Sequence, residues 1–67
     1  MSYPKLRGAI REKFGTQKAF AEALGINSST LVNKLSGRVE WTVSEVQASV
    51  ELLDIPWEHI SDYFFTQ

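Results

Sequence analysis

The stretch from Gln17 to Gly37, QKAFAEALGINSSTLVNKLSG, constrains this chain more than any other. Phe20, Ala21 and Leu24 form the inner face of a short helix that stops at Gly25. Only glycine enters the left-handed conformation there without steric cost. Ile26 then drops into the core, and Asn27 or Ser28 caps a second short helix. Leu31 and Leu35 turn that helix inward before Gly37 ends it. Two helices joined by so tight a corner cross at a steep angle, and Ala21 is small where they meet. The second helix opens on small polar side chains, so its outer face is left without large apolar groups.

The remaining punctuation marks three more helices. Pro4 suits a first helical position, and Leu6, Ile10 and Phe14 follow at i, i+4 and i+8. Gly15 ends that helix and Thr16 caps the next. Thr42 with Glu45 makes a capping box for helix four, behind which Val43, Val46, Val50 and Leu53 run as one apolar stripe. Pro56 opens helix five, in which Trp57, Ile60 and Phe64 share a side. Gly8 sits awkwardly in mid-helix, where glycine costs about 1 kcal/mol relative to alanine; a close helix contact would account for it. The segment from Arg38 to Val43 has the best claim to a strand, but it lies between two well-capped helices and reads as an ordered loop. The expected fold is all-α, with five helices.

Sixty-seven residues allow one domain, 1–67, with helices over 43–64 completing a modest core. A chain of this size buries only about 60% of its unfolded surface. It has no cysteine, so neither a disulfide nor a thiolate metal site supplements that core, which fits a reducing cytosol. No apolar run approaches the roughly 20 residues that span a bilayer, and no signal-peptide pattern is present. The expected location is cytoplasmic. His59 and Asp62 stand one helical turn apart, but two ligands do not make a metal site. With no cysteine nucleophile and no glycine-rich phosphate loop, the chain reads as no enzyme, with no catalytic residue, metal or cofactor.

Net charge is −1, which hides an uneven distribution. Lys5, Arg7, Arg11, Lys13, Lys18, Lys34 and Arg38 against Glu12 and Glu22 make the chain up to residue 38 net +5. Glu40, Glu45, Glu51, Asp54, Glu58 and Asp62 make the rest −6. Such asymmetry suggests one face for phosphates and another kept away from them. The corner at Gly25 is the layout of a helix-turn-helix, whose second helix enters the DNA major groove.

On these residues the chain resembles the lambda repressor/Cro-like helix-turn-helix family, most sharply through Gln17, Ala21, Gly25, Ile26, Leu31, Leu35 and Gly37. The resemblance implies a small phage Cro-type transcriptional regulator of the bacterial host cytoplasm, binding double-stranded operator DNA without a small-molecule ligand. Family geometry places Ser28, Ser29 and Asn33 toward base edges, with Asn27 and Thr30 near the backbone. Asn33 can bond bidentately to adenine, worth about 1–3 kcal/mol of discrimination, and Val32 can touch a thymine methyl. Gln17 stands at a helix N-terminus that favours phosphate. Lys18, Lys34, Arg38 and either Arg11 or Lys13 are the other phosphate candidates; Lys5 and Arg7 read as solubilising charges.

Several better-known members carry long glutamines at the positions of Ser28 and Ser29. Serines reach less far, so the helix must sit deeper or use bridging waters. Family members bind as dimers to half-sites roughly 34 Å apart. The expected homodimer face lies in the acidic, aromatic C-terminal third, at Trp41, Tyr63 and Phe65, while Trp57 and Phe64 pack onto helix four. With no second oligomerisation domain, the chain is closer to Cro-type proteins than to full repressors. The alternative is a protein-interaction module that keeps the fold and binds a partner repressor through the acidic, aromatic half.

Overall fold

The first four helices start and stop at residues whose side chain or backbone conformation makes the boundary. The computed structural model describes residues 3–64. Helix α1, Pro4–Phe14, begins with its proline and closes at Gly15 (φ 81°), whose N–H donates to the Arg11 carbonyl. Helix α2, Gln17–Leu24, is capped by the Thr16 hydroxyl, which accepts the Ala19 N–H at 3.1 Å. It ends at Gly25 in the left-handed conformation (φ 86°, ψ 22°), and the Gly25 and Ile26 N–H groups both reach the Ala21 carbonyl. Helix α3, Ser28–Leu35, is capped by Asn27, which settles the choice between Asn27 and Ser28.

Helix α4, Val43–Leu53, carries the complete capping box. The Glu45 N–H donates to the Thr42 hydroxyl at 3.2 Å, and the Thr42 N–H donates to the Glu45 carboxylate at 2.9 Å. It stops at Asp54, a non-glycine residue in the left-handed region (φ 54°), a stop with no glycine to announce it. Pro56 leads into a single 3₁₀ turn, Trp57–His59, which runs into the short helix α5, Ile60–Phe64. The domain is all-helical, with five α-helices and no strand among the described residues, and residues 38–42 form the expected loop.

The core is the intersection of these apolar faces. Leu6, Ile10, Phe20, Leu31 and Leu35 are essentially inaccessible, and Val50, Leu53, Ile55 and Phe64 close over them from α4, the connection after it and α5. Ala21 is also fully buried, at the corner where α2 and α3 pack together. Phe14 meets Phe20 at 5.3 Å between ring centroids, joining the end of α1 to α2.

Three expectations fail. Val43 is 74% exposed: the capping box places it at the first position of α4, where the start of the stripe overhangs the core. Trp57, expected against α4, is 68% exposed, because the 3₁₀ turn gives it a different bearing from an α-helical residue at that position. Gly8 makes no close helix contact, since a Cβ placed there meets nothing within 4 Å.

Gly8 is therefore an unused stability increment. Gly8→Ala should stabilise the fold by about 0.5–1 kcal/mol, the usual gain from removing a mid-helix glycine. For a domain of this size that raises Tm by about 4–8 °C per kcal/mol. Thermal unfolding followed by circular dichroism checks it, and a lowered Tm contradicts the open space around the Gly8 backbone.

Candidate nucleic-acid and partner interfaces

Two surfaces stand out, one on α3 and one between α4 and α5. On α3 the exposed residues are Ser28, Ser29 and Val32, with Asn33 half-buried beside them. The polar groups at its start are largely occupied with one another. Asn27 Oδ1 accepts from the Thr30 N–H at 2.9 Å, the Thr30 hydroxyl at 2.7 Å and the Ser29 hydroxyl at 3.0 Å. At the other end, the Asn33 carbonyl accepts from the Arg38 and Val39 N–H groups and from the Ser36 hydroxyl. Arg38 and Lys18 are exposed, and Gln17 is half-buried. Gln17 does lie beside Arg11, in a cleft between α1 and the start of α2 that Arg7 and Thr16 also line.

Lys34 is placed quite differently from an exposed phosphate ligand. It is 4% exposed, because Leu31, Lys34 and Leu35 occur at i, i+3 and i+4 and share the inner face of α3. Its ammonium lies 2.8 Å from the Glu45 carboxylate, donates to the Glu40 carbonyl at 3.0 Å and stands 5.9 Å above the centre of the Trp41 ring. That is within the range of a cation–π contact. Burial works to raise the Glu45 carboxyl. Hydrogen bonds from Lys34, the Thr42 N–H and the Thr42 hydroxyl, with the Lys34 charge, outweigh it and hold Glu45 below the ordinary glutamate value.

Trp41, a candidate dimer contact in the sequence, is built into the fold. Its ring packs edge-on against Phe64 at 5.2 Å and against Tyr3 at 6.3 Å. Such pairs contribute about 0.5–1.5 kcal/mol each beyond their burial. Tyr63 is half-buried with the Lys5 ammonium 5.7 Å from its ring centre, and Phe65 lies outside the described residues. Tyr3, Trp41 and Phe64, with Val46 and Ile60, form a groove of about 600 Å³ between α4 and α5. The exposed Val43 and Trp57 stand along it, and Glu40 and Gln47 add its polar groups. Sequence reasoning missed Val43 and Trp57 as surface residues; the capping box was the signal for Val43, and Trp57 carried none.

The charge segregation along the sequence is partly undone in space. Lys13 pairs with Asp54 at 3.0 Å, Lys5 approaches Asp62 at 4.0 Å, and Lys34 is taken by Glu45. Arg7, read as a solubilising charge, donates to the Leu35 carbonyl at 2.8 Å and so helps close the C-terminus of α3. Asp62 also accepts from His59 Nδ1 at 3.1 Å, on the exposed side of α5. No described helix is long and apolar enough to cross a membrane.

A family described as "Protein of unknown function (DUF739)" matches residues 1–67. Among solved structures, the chain is similar to the solution structure of the modulator of repression (MOR) of the temperate bacteriophage TP901-1 from Lactococcus lactis. The two are 38% identical over 97% of this chain and 88% of that one, with a TM-score of 0.85. No curated protein matches the sequence.

The ion pair makes its own prediction. Because Glu45 is depressed in the folded chain, its contribution to stability is present above the ordinary glutamate range and is lost as pH falls through the lowered value. Glu45→Gln should flatten that part of the acid-unfolding profile. Glu45→Ala leaves a buried ammonium without its counter-charge and should cost about 3 kcal/mol in urea unfolding at neutral pH. Equal acid profiles for the wild type and Glu45→Gln would show that the carboxylate adds nothing.

Proposed function

The chain belongs to the DUF739 family of proteins of unknown function, and we propose that it acts in a phage genetic switch as a modulator of repression, by binding a repressor protein. The observation that carries this reading is the 38% identity, over nearly the whole of both chains, to a phage modulator of repression. The surface chemistry supports protein binding as the means. The groove between α4 and α5 offers aromatic and aliphatic side chains at depth, with the exposed Trp57 and Val43 beside them. Exposed apolar groups gathered at one groove favour a protein contact. Acidic residues flank it, with no lysine or arginine after residue 38, so the fitting partner surface is apolar at its centre and basic at its edge. A repressor is such a partner, since its operator-binding face must be basic to hold phosphates.

A second reading, a Cro-type DNA-binding repressor acting as a homodimer, draws on the exposed face of α3. Ser28, Ser29, Val32 and Asn33 lie there, and Lys18 and Arg38 are exposed cations. Against it stand the withdrawal of Lys34 from the surface and the engagement of Asn27, Ser29 and Thr30 with one another.

Mobility shifts of operator DNA with the repressor of the same switch, with this chain, and with both together separate the readings. On the first, the chain alters the repressor–operator complex. Trp57→Ala should then weaken repressor binding by about 2 kcal/mol, roughly thirtyfold, at unchanged thermal stability. Asn33→Ala and Arg38→Ala should leave that effect intact. On the second, the chain shifts operator DNA alone. Asn33→Ala then lowers discrimination among operators, and Arg38→Ala weakens binding to every duplex and reduces the salt slope by about 1.

A further inference from the structure

Two buried side-chain polar atoms among the described residues have no hydrogen-bond partner, the Ser49 hydroxyl on α4 and the Trp41 indole nitrogen, and of the two residues only Trp41 lines the groove. The Trp41 indole N–H is buried and has no hydrogen-bond acceptor among the described residues. Two acceptors close to it in the chain bond to other donors. The Glu40 carbonyl accepts from Lys34, and the Glu45 carboxylate is held by Lys34 and the Thr42 N–H. Lys34 also stands over the Trp41 ring, so a positive charge sits on the indole. Tyr3 and Phe64 clamp the same ring edge-on. A buried donor left unpaired costs about 1–3 kcal/mol, a large part of the stability of a domain this small. Phenylalanine would keep the edge-on contacts without that cost.

Trp41 also lines the groove. Resting on the reading that the groove binds a repressor, we infer that the Trp41 N–H is a specificity-determining donor, satisfied by an oxygen that the partner brings. The electrostatics select the kind of oxygen. Glu40 at the groove and the acidic residues of α4 and α5 repel a carboxylate, so the acceptor is a neutral carbonyl, from the partner's backbone or from an asparagine or glutamine. The N–H is covered in the free chain, so the oxygen reaches it as the groove opens around the docked segment. Satisfying the donor recovers its burial cost at the moment of binding, which ties affinity to the presence of that oxygen.

The test removes the N–H and keeps the ring. Incorporation of β-(3-benzothienyl)alanine at position 41 replaces N–H by sulfur in a side chain of nearly the same shape, and Trp41→Phe is the genetically simpler companion. Thermal unfolding of the free chain and calorimetric titration with the repressor of the same switch are read together. The expected result has opposite signs: stability of the free chain is equal or higher for the sulfur analogue, while affinity for the repressor falls about tenfold. In ¹H–¹⁵N spectra of the wild type, the Trp41 indole proton should move downfield on adding repressor. Undiminished affinity of the analogue, with the wild type binding, overturns the role of the N–H and leaves the groove as the docking site. Failure of the wild type to bind the repressor overturns the partner and the acceptor together.

Discussion

The fold is organised around the buried contact of Lys34 with Glu45, the Glu40 carbonyl and the face of Trp41. A single ammonium reaches from the last turn of α3 to the loop after it and to the first turn of α4. The covalent chain between Leu35 and Val43 contains no helix, so its path would be loosely determined without this clip. Glu45 serves twice, accepting the Thr42 N–H that starts α4 and the Lys34 charge that fixes where α4 starts. Burying two charges is costly in general, and the cost is offset here by the Glu40 carbonyl on the ammonium and the Thr42 N–H on the carboxylate. What results is the placement of Trp41, and with it the floor of the aromatic groove.

That placement changes how the charge pattern is understood. Along the sequence, cations and anions separate cleanly at residue 38, as they would in a protein with one face for nucleic acid. In the folded chain, α1 lies against α5 and close to the end of α4, which brings Lys5 and Lys13 opposite Asp62 and Asp54. Much of the segregation is therefore a device for pairing distant segments. The cations left exposed, Lys18 and Arg38 among them, form a thinner basic surface than the sequence promised. The acidic side, with Glu40, Glu51 and Glu58 exposed, keeps more of its character, and the apolar groove lies within it.

Local signals were legible because their physics is local. Thr16, Thr42 and Gly25 mark helix ends through interactions spanning four residues or fewer, and each does so in the structure. Leu31 and Leu35 announced the inner face of α3 by their spacing. The same spacing placed Lys34 on that face, but its charge outweighed its position, and the partner that makes burial tolerable lies eleven residues on, in another helix. Val43 and Trp57 misled for a related reason: periodicity says which side chains share a face and not where the neighbouring element ends. The reading of α3 as a base-contacting helix rested on its outward polar face and on the family resemblance, and the mutual bonding of Asn27, Ser29 and Thr30 is a matter of geometry that residue types do not carry.

The edge-on stack of Tyr3, Trp41 and Phe64 has a kinetic consequence. It joins residues from the beginning, middle and far end of the described chain, so it is among the contacts of greatest loop-closure cost. The corner between α2 and α3, by contrast, is nearly contiguous in sequence and can condense early. Assembly should therefore run from the corner outward, with the groove completed last. The groove therefore exists only in the finished fold, since each of its walls comes from a segment that reaches the others late.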